Sequence, residues 1–402
     1  MNYINRHISK YVLNASKTFP VLILTGARQI GKSTLLEHLI DSDRRVVSLD
    51  NPILRQSAKE DPEKFLQTYS PPVLIDEVQY APELFPYIKI IVDKKKKNGQ
   101  FWLTGSQNFT MMKNVTESLA GRAAIIRMNN LSRSEIQNEQ IFPIDFNIEK
   151  LIERNKSKKD IDTIEIFENI FRGFYPKLWI EKDIDIKLFY NSYIDTYITR
   201  DLRTLKNIES ETSFINFLKI VACRTATNVN YETLANEANI TAPTAKAWLS
   251  LLISSGLVLL IEPYLSNILK RIVKSPRMYM TDTGLVCNLM GWENPAVIEN
   301  SYMSGAIFET YIVNEIYKNI VNRGDKPNLY FYRNNSKEEI DLIIEKNGII
   351  HPIEIKKSAN PKNPLKNFKA IEGNIGTGYV YCLCNDIVPI SKKDYLVPAT
   401  LI

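Results

Sequence analysis

The run Gly26-Ala-Arg-Gln-Ile-Gly31-Lys32-Ser33 fits the pattern G-x-x-x-x-G-K-[ST] in full. Glycines let such a loop curl until successive main-chain N–H groups point inward at phosphate oxygens. Gly26, Ala27, Arg28, Gln29, Ile30, Gly31, Lys32, Ser33 and Thr34 are therefore the candidate cradle for ATP. In it the Lys32 ammonium reaches the β- and γ-phosphates, and the Ser33 hydroxyl ligates Mg²⁺. Val21–Leu24 reads as a buried strand entering the loop. Thr34–Ile40 opens a helix whose N-terminal dipole favours an anion.

A second element agrees. Val73-Leu-Ile75-Asp76-Glu77 is an apolar strand ending in two carboxylates. Asp76 would hold Mg²⁺, directly or through water, and Glu77 would polarise the attacking water as general base. Phe101-Trp-Leu-Thr104-Gly105-Ser106-Gln107 is another apolar run ending in small polar groups. Ser106 is the first candidate for sensing the γ-phosphate from the adjacent strand tip, with Thr104 in reserve.

A third constellation lies near the C-terminus. Asp341 opens a strand, and Glu354 and Lys356 lie two apart on the next, so both side chains share one face beside Asp341. Glu309 or Glu315, on a preceding helix, would complete an oxygen-rich cage for Mg²⁺ or Mn²⁺. With metal held by Glu309, Asp341 and Glu354, and Lys356 steadying the nucleophile or transition state, the set suits nuclease chemistry. The acid-x-Lys spacing alone is weak, because it recurs at Asp93-Lys-Lys95 and Asp185-Ile-Lys187. The other reading is a metal-free hydrogen-bonded core around a buried Lys–Glu pair.

These groups need a scaffold. Val21–Thr25, Arg45–Leu49, Val73–Ile75, Phe101–Thr104 and Ala123–Met128 are short apolar runs separated by helix-like stretches, the pattern of a parallel α/β sheet. Asn129 to Lys159 is polar and marks a boundary or lid. The middle reads helical. Tyr231–Ile240 followed by Thr241–Leu252 gives helix, turn, helix, with Thr241 as N-cap and Pro243 in the first turn. Leu257–Ile261 then begins a strand, as a wing would. Thr241, Thr244 and Lys246 face outward on the second helix, and Lys270, Arg271, Lys274 and Arg277 form a basic cluster beyond the wing. The competing reading is a winged helix that packs or contacts protein. From about residue 300 a helix and short strands form an α+β unit. The expected domains are residues 1–150, 151–295 and 296–402.

Composition bounds the rest. The chain has 402 residues, 44% hydrophobic and 24% charged, which suits two to three globular domains and excludes a largely disordered chain. The net charge of +6 permits nucleic-acid contact without demanding it. Cys223, Cys287, Cys382 and Cys384 are too scattered for a disulfide scaffold and read as reduced thiols; zinc spacing is absent. No apolar run approaches a membrane span and the first ten residues lack an apolar targeting core, so a cytoplasmic protein is expected.

The chain resembles the AAA-type P-loop ATPases of bacteria and archaea, in a subgroup whose ATPase domain is fused to a C-terminal domain of unknown function. The stretches that carry the resemblance are Thr25 to Thr34, Leu49-Asp-Asn-Pro52, Ile75-Asp-Glu-Val-Gln79, Leu103-Thr-Gly-Ser106 and Leu119-Ala-Gly-Arg122. It implies ATP hydrolysis, and an arginine that completes a neighbouring or rearranged site, for which Arg122 and Arg200 are candidates. A homo-oligomer is compatible with such an arginine in trans. Asp341, Glu354 and Lys356 resemble the D…E-x-K signature of the restriction-endonuclease fold, and Tyr279–Leu285 and Phe308-Glu309 also match the subgroup. One departure stands out: in Phe171-Arg-Gly173-Phe-Tyr-Pro176, Phe174 replaces a glycine of the subgroup's Gly-Gly-x-Pro turn. The expected function is an ATP hydrolase acting on DNA, with a metal-dependent nuclease site. The alternative is a nucleotide-switched DNA- or protein-binding regulator with a non-catalytic C-terminal domain.

Overall fold

The computed structural model describes residues 3–40, 43–106, 118–144, 146–157, 163–198, 211–265 and 275–402. Five strands, β1 (Val21–Gly26), β2 (Arg45–Ser48), β3 (Val73–Asp76), β4 (Phe101–Ser106) and β5 (Ala123–Arg127), form a parallel sheet in the order β2-β3-β4-β1-β5. Every residue of β1 is buried, as a central parallel strand covered on both faces requires. Alternation splits its side chains between two cores. Leu22 and Leu24 pack with Val12, Leu35 and Leu36, whereas Val21 and Ile23 pack with Phe65, Phe85 and Ile88. Because all five strands run the same way, the C-terminal tips of β1, β3 and β4 meet at one edge, where open α/β sheets bind ligands.

The middle of the chain is helical, with helices Thr163–Arg172, Pro176–Ile180 and Ile186–Tyr193. Then follow helix Glu211–Cys223, β6 (Thr227–Asn228), helices Tyr231–Ala238 and Ala242–Ser254, β7 (Val258–Pro263) and β8 (Arg277–Met280). The Thr241 hydroxyl accepts from Thr244 N at 3.3 Å, the cap expected of it. Asn230 caps the preceding helix, accepting from Thr233 N at 3.0 Å. Phe214 and Phe217 meet Trp248 edge-on, which ties helix Glu211–Cys223 to helix Ala242–Ser254.

After helices Thr283–Leu289, Pro295–Asn300 and Ser304–Asn322 come β9 (Leu329–Arg333), β10 (Glu339–Lys346), β11 (Ile349–Lys356), β12 (Tyr379–Cys382), β13 (Val388–Pro389) and β14 (Tyr395–Pro398). β9, β10 and β11 are antiparallel neighbours, and β12 and β14 continue parallel to β11. The sheet does not stop at residue 296. β7 pairs in parallel with β9 at Glu262–Tyr330, so β6, β8 and β7 join the C-terminal strands in one nine-stranded sheet.

The Asp282 carboxylate fastens these parts to the first sheet. Its Oδ2 accepts from Asn130 Nδ2 at 2.9 Å and from Phe174 N at 2.8 Å; its Oδ1 accepts from Tyr190 OH at 2.7 Å and Leu285 N at 2.9 Å. Gly173 has φ +76°, and a Cβ on it would strike Tyr190 OH and Asp282 Oδ1, so only glycine fits that turn. Phe174, where the subgroup's second glycine would be, is buried. Its ring lies under Lys318 Nζ at 4.1 Å and stacks on Tyr311 at 5.9 Å. All four cysteines are free thiols. Among the described residues no helix is long and apolar enough to cross a membrane.

Candidate functional site

The loop between β1 and helix Lys32–His38 takes the curled form its glycines permit. Gly26 has φ +145°, Gln29 +61° and Gly31 +87°. A side chain at Gly26 would collide with the Met128 carbonyl, so the turn out of β1 requires glycine. Lys32 is buried and folds back over the loop, donating to Ala27 O at 2.7 Å and Gly26 O at 3.2 Å. From outside, Arg6 braces the loop by donating to Ile30 O at 2.8 Å, and is itself held by Glu135 at 3.2 Å. Burial alone would raise the Glu135 pKa, but Arg6 and the Ser132 and His7 N–H groups outweigh it and keep it below the usual carboxylate range.

The tips of β3 and β4 bring the expected partners to Lys32 and Ser33. The Ser33 hydroxyl donates to Asp76 Oδ1 at 2.5 Å, Ser48 to Asp76 Oδ2 at 3.2 Å, and Thr104 also donates to Oδ1. Asp76 is thus ringed by three hydroxyls from three different segments. Glu77 has φ +57°; its N–H donates to Thr104 Oγ1 at 3.2 Å, and its carboxylate accepts from Gln79 Nε2. Thr104 therefore joins Asp76 to Glu77. Ser106 ends β4 in register with Gly26, and its side chain lies outside the described part. Sequence reasoning assigns no role to Ser48 or Arg6, and names Gln79 only as the end of a stretch that carries the resemblance. Ser48 shows in the sequence only inside the run Arg45–Leu49, and its contact with Asp76 needs β2 to pair with β3.

The two arginine candidates fall elsewhere. The register Val21–Ala123 puts Arg122 at the opposite end of the sheet from the loop, a strand length or roughly 17 Å away. There it makes a double ion pair with Asp93 at 2.5 and 2.9 Å. Arg200 lies outside the described residues, as do Lys270, Arg271 and Lys274. Arg277, read from the sequence as part of that basic cluster, is instead buried. It donates to Glu309 at 3.2 Å and to Glu339, with its guanidinium 4.7 Å from the Phe331 ring centre. It faces the interior because both faces of β8 are covered, every residue of the strand being buried.

On the C-terminal sheet, Asp341 and Glu354 are brought together as expected. Lys356 Nζ lies 2.6 Å from Glu354 Oε1 and 3.6 Å from Asp341 Oδ2, and Asp341 Oδ2 also accepts from Ile355 N at 2.8 Å. Glu354 Oε2 is buried with no hydrogen-bond partner. Glu309 turns to Tyr279 OH at 2.7 Å and to Arg277, while Glu315 pairs with Lys318 on the other side of the helix. Burial, reinforced by the Asp341 charge, pushes both Glu309 and Glu354 up to about 7, against the pull of Arg277 and Lys356 respectively. Among the described residues no three His, Cys, Asp or Glu side chains converge closely enough to hold a metal ion. The cage expected from Glu309, Asp341 and Glu354 is therefore not assembled, because Glu309 is drawn off by Arg277.

Residues 18–137 match the AAA domain family. Residues 163–296 match a domain of unknown function, DUF8612, and residues 304–402 another, DUF4143. The first stretch is thus an AAA-type ATPase domain built on the P-loop and the five-stranded sheet. The chain is 26% identical over 345 residues to an uncharacterized protein of Mycobacterium bovis and to one of Mycobacterium tuberculosis, covering 85% of this chain and 71% of each relative. Among solved structures it is similar to a Walker-type ATPase of Pyrococcus abyssi, with 14% identity, TM-score 0.45, and 72% of this chain and 96% of that one covered. It is also similar to RuvB of Thermotoga maritima, with 17% identity, TM-score 0.29, and 62% and 86% covered.

Proposed function

We propose that this protein is an ATP hydrolase whose nucleotide state governs contact with DNA through the helix–turn–helix of residues 231–254. The observation that carries the hydrolase is the Ser33–Asp76 bond of 2.5 Å beside Lys32. A hydroxyl and a carboxylate meeting at adjacent loop and strand tips are the donor set that Mg²⁺ takes, and Ser33 and Asp76 would hold it. When bound, the ion would neutralise charge on the β- and γ-phosphates. Lys32 would leave its two carbonyls for the phosphates. Glu77 would orient and deprotonate the attacking water, and Thr104 would hold Glu77's main chain in place. Release of phosphate from Mg·ATP, lost in Lys32→Ala, tests this part.

The DNA assignment rests on the element order. Helix, short strand, two helices and a two-stranded hairpin follow one another from residue 211 to 280, as in a winged helix. Lys246 is exposed on the second of the paired helices. Salt-dependent DNA binding that weakens in Lys246→Glu would support it; identical binding would count against it.

A second reading has its own support. Asp341, Glu354 and Glu309 supply three carboxylates against Lys356 and Arg277, and one Glu354 oxygen is left unpartnered. That imbalance suits a divalent cation at Asp341 and Glu354, Mg²⁺ or Mn²⁺, at a DNA-cutting site. Metal-dependent cleavage of single- or double-stranded DNA is its test.

A further inference from the structure

Arg127, the last residue of β5, belongs to none of the motifs above. Its main chain pairs with Thr25, one residue before the loop, so it stands at the nucleotide edge of the sheet. Its Nη2 donates to Ile253 O at 3.2 Å, in the last turn of helix Ala242–Ser254. The chain then passes through Gly256 at φ +80°. A Cβ built on Gly256 would lie 3.3 Å from Ala27 N and 3.6 Å from Arg127 Nη2. Loop, guanidinium and helix end therefore converge on one point.

That point is next to where the terminal phosphates belong. Lys32 is the cation that grips the β- and γ-phosphates in such loops, and its ammonium lies 2.7 Å from the Ala27 carbonyl. One point, the Cβ position of Gly256, thus lies 3.6 Å from Arg127 Nη2 and 3.3 Å from the main chain of Ala27, the residue whose carbonyl Lys32 holds. The present acceptor of Arg127 is weak: a helix C-terminus carries roughly half a negative charge, spread over several carbonyls. A terminal phosphate is a full anion, and guanidinium binds it through two parallel N–H groups.

We propose that Arg127 is shared between the terminal phosphate of ATP and the last turn of helix Ala242–Ser254. ATP draws the guanidinium from Ile253 O and loosens that turn; ADP, having no γ-phosphate, leaves it in place. The proposal rests on the reading of Gly26–Ser33 as a triphosphate site. It gives the second helix of the helix–turn–helix a direct report of which nucleotide is bound. Glycine suits position 256 in this arrangement, because φ is +80° and a Cβ there would press on Ala27 N at 3.3 Å.

The test uses the full chain, titrated calorimetrically with Mg²⁺ and either a non-hydrolysable ATP analogue or ADP. Arg127→Ala should lose ~10-fold of its affinity for the analogue, the size expected for a hydrogen bond to a charged group, and keep its affinity for ADP. Arg127→Lys should recover part of the loss. Hydrogen exchange over residues 248–257 should quicken in the wild type with the analogue and not with ADP. In Arg127→Ala it should be fast with either. Equal losses for both nucleotides, or none for either, overturn the proposal. If Lys32→Ala binds the analogue as the wild type does, the loop itself has been misread, an outcome separate from the fate of Arg127.

Discussion

The Ser33 hydroxyl donates to Asp76 Oδ1 at 2.5 Å, joining the first turn of the loop helix to the tip of β3 across 43 residues of sequence. Ser48 and Thr104 complete the ring around the same carboxylate. An acidic group so placed is pre-organised to face a cation on the phosphate chain. Asp76→Asn should therefore lower Mg·ATP turnover by roughly 100-fold or more while leaving the fold intact. Phosphate release and far-ultraviolet circular dichroism together check it.

The Asp282 node predicts a purely structural failure. Gly173→Ala places a methyl group against Tyr190 OH and Asp282 Oδ1, at a backbone φ of +76° that side chains resist. Overpacking and backbone strain together should cost about 2 kcal/mol or more. The midpoint of urea unfolding should fall accordingly, and an unchanged midpoint would show that the turn tolerates a side chain.

The Arg6–Glu135 pair that braces the loop gives a pH dependence. Glu135's folded pKa is held below the ordinary glutamate value of 4.5, so its contribution is present above the unfolded pKa and is lost as pH falls through the folded one. Glu135→Gln leaves Arg6 buried without a counter-charge and should destabilise by about 3 kcal/mol at neutral pH. The difference from wild type should shrink steadily below pH 4.5. Thermal unfolding of both proteins across that range is the measurement.

If the C-terminal cluster takes a divalent ion, Mn²⁺ should raise the wild-type melting temperature and support DNA cleavage. Both effects should vanish in Glu354→Gln. A wild type that is neither stabilised nor active with Mg²⁺ or Mn²⁺ leaves the cluster as a closed structural network around Lys356.

The phosphate loop could be read directly because its residues are contiguous and their spacing is itself the geometry. Strands β1 to β5 were legible for a similar reason: continuous apolar runs suit a sheet covered on both faces. What depended on distant pairing was not. The sequence does not show that the Thr104 hydroxyl bonds Asp76, a contact that exists only once β3 lies beside β4. Arg277 looked like surface charge because it follows other basic residues. Its neighbours in space are Glu309 and Glu339, 32 and 62 residues away in sequence. Nor does local pattern reveal that β7 pairs with β9, carrying one sheet across the expected boundary at residues 295–296. Phe174 is the opposite case. Its departure from the subgroup's turn was visible in the sequence, but its role as a buried ring beneath Lys318 was not.

The most direct test of the account is a calorimetric titration of the full chain with ATP in the presence of Mg²⁺, run beside Lys32→Ala. The loop geometry predicts uptake of one ATP per chain by the wild type and no measurable heat from the variant. Absence of binding by well-folded wild-type protein, or equal binding by both, would contradict it.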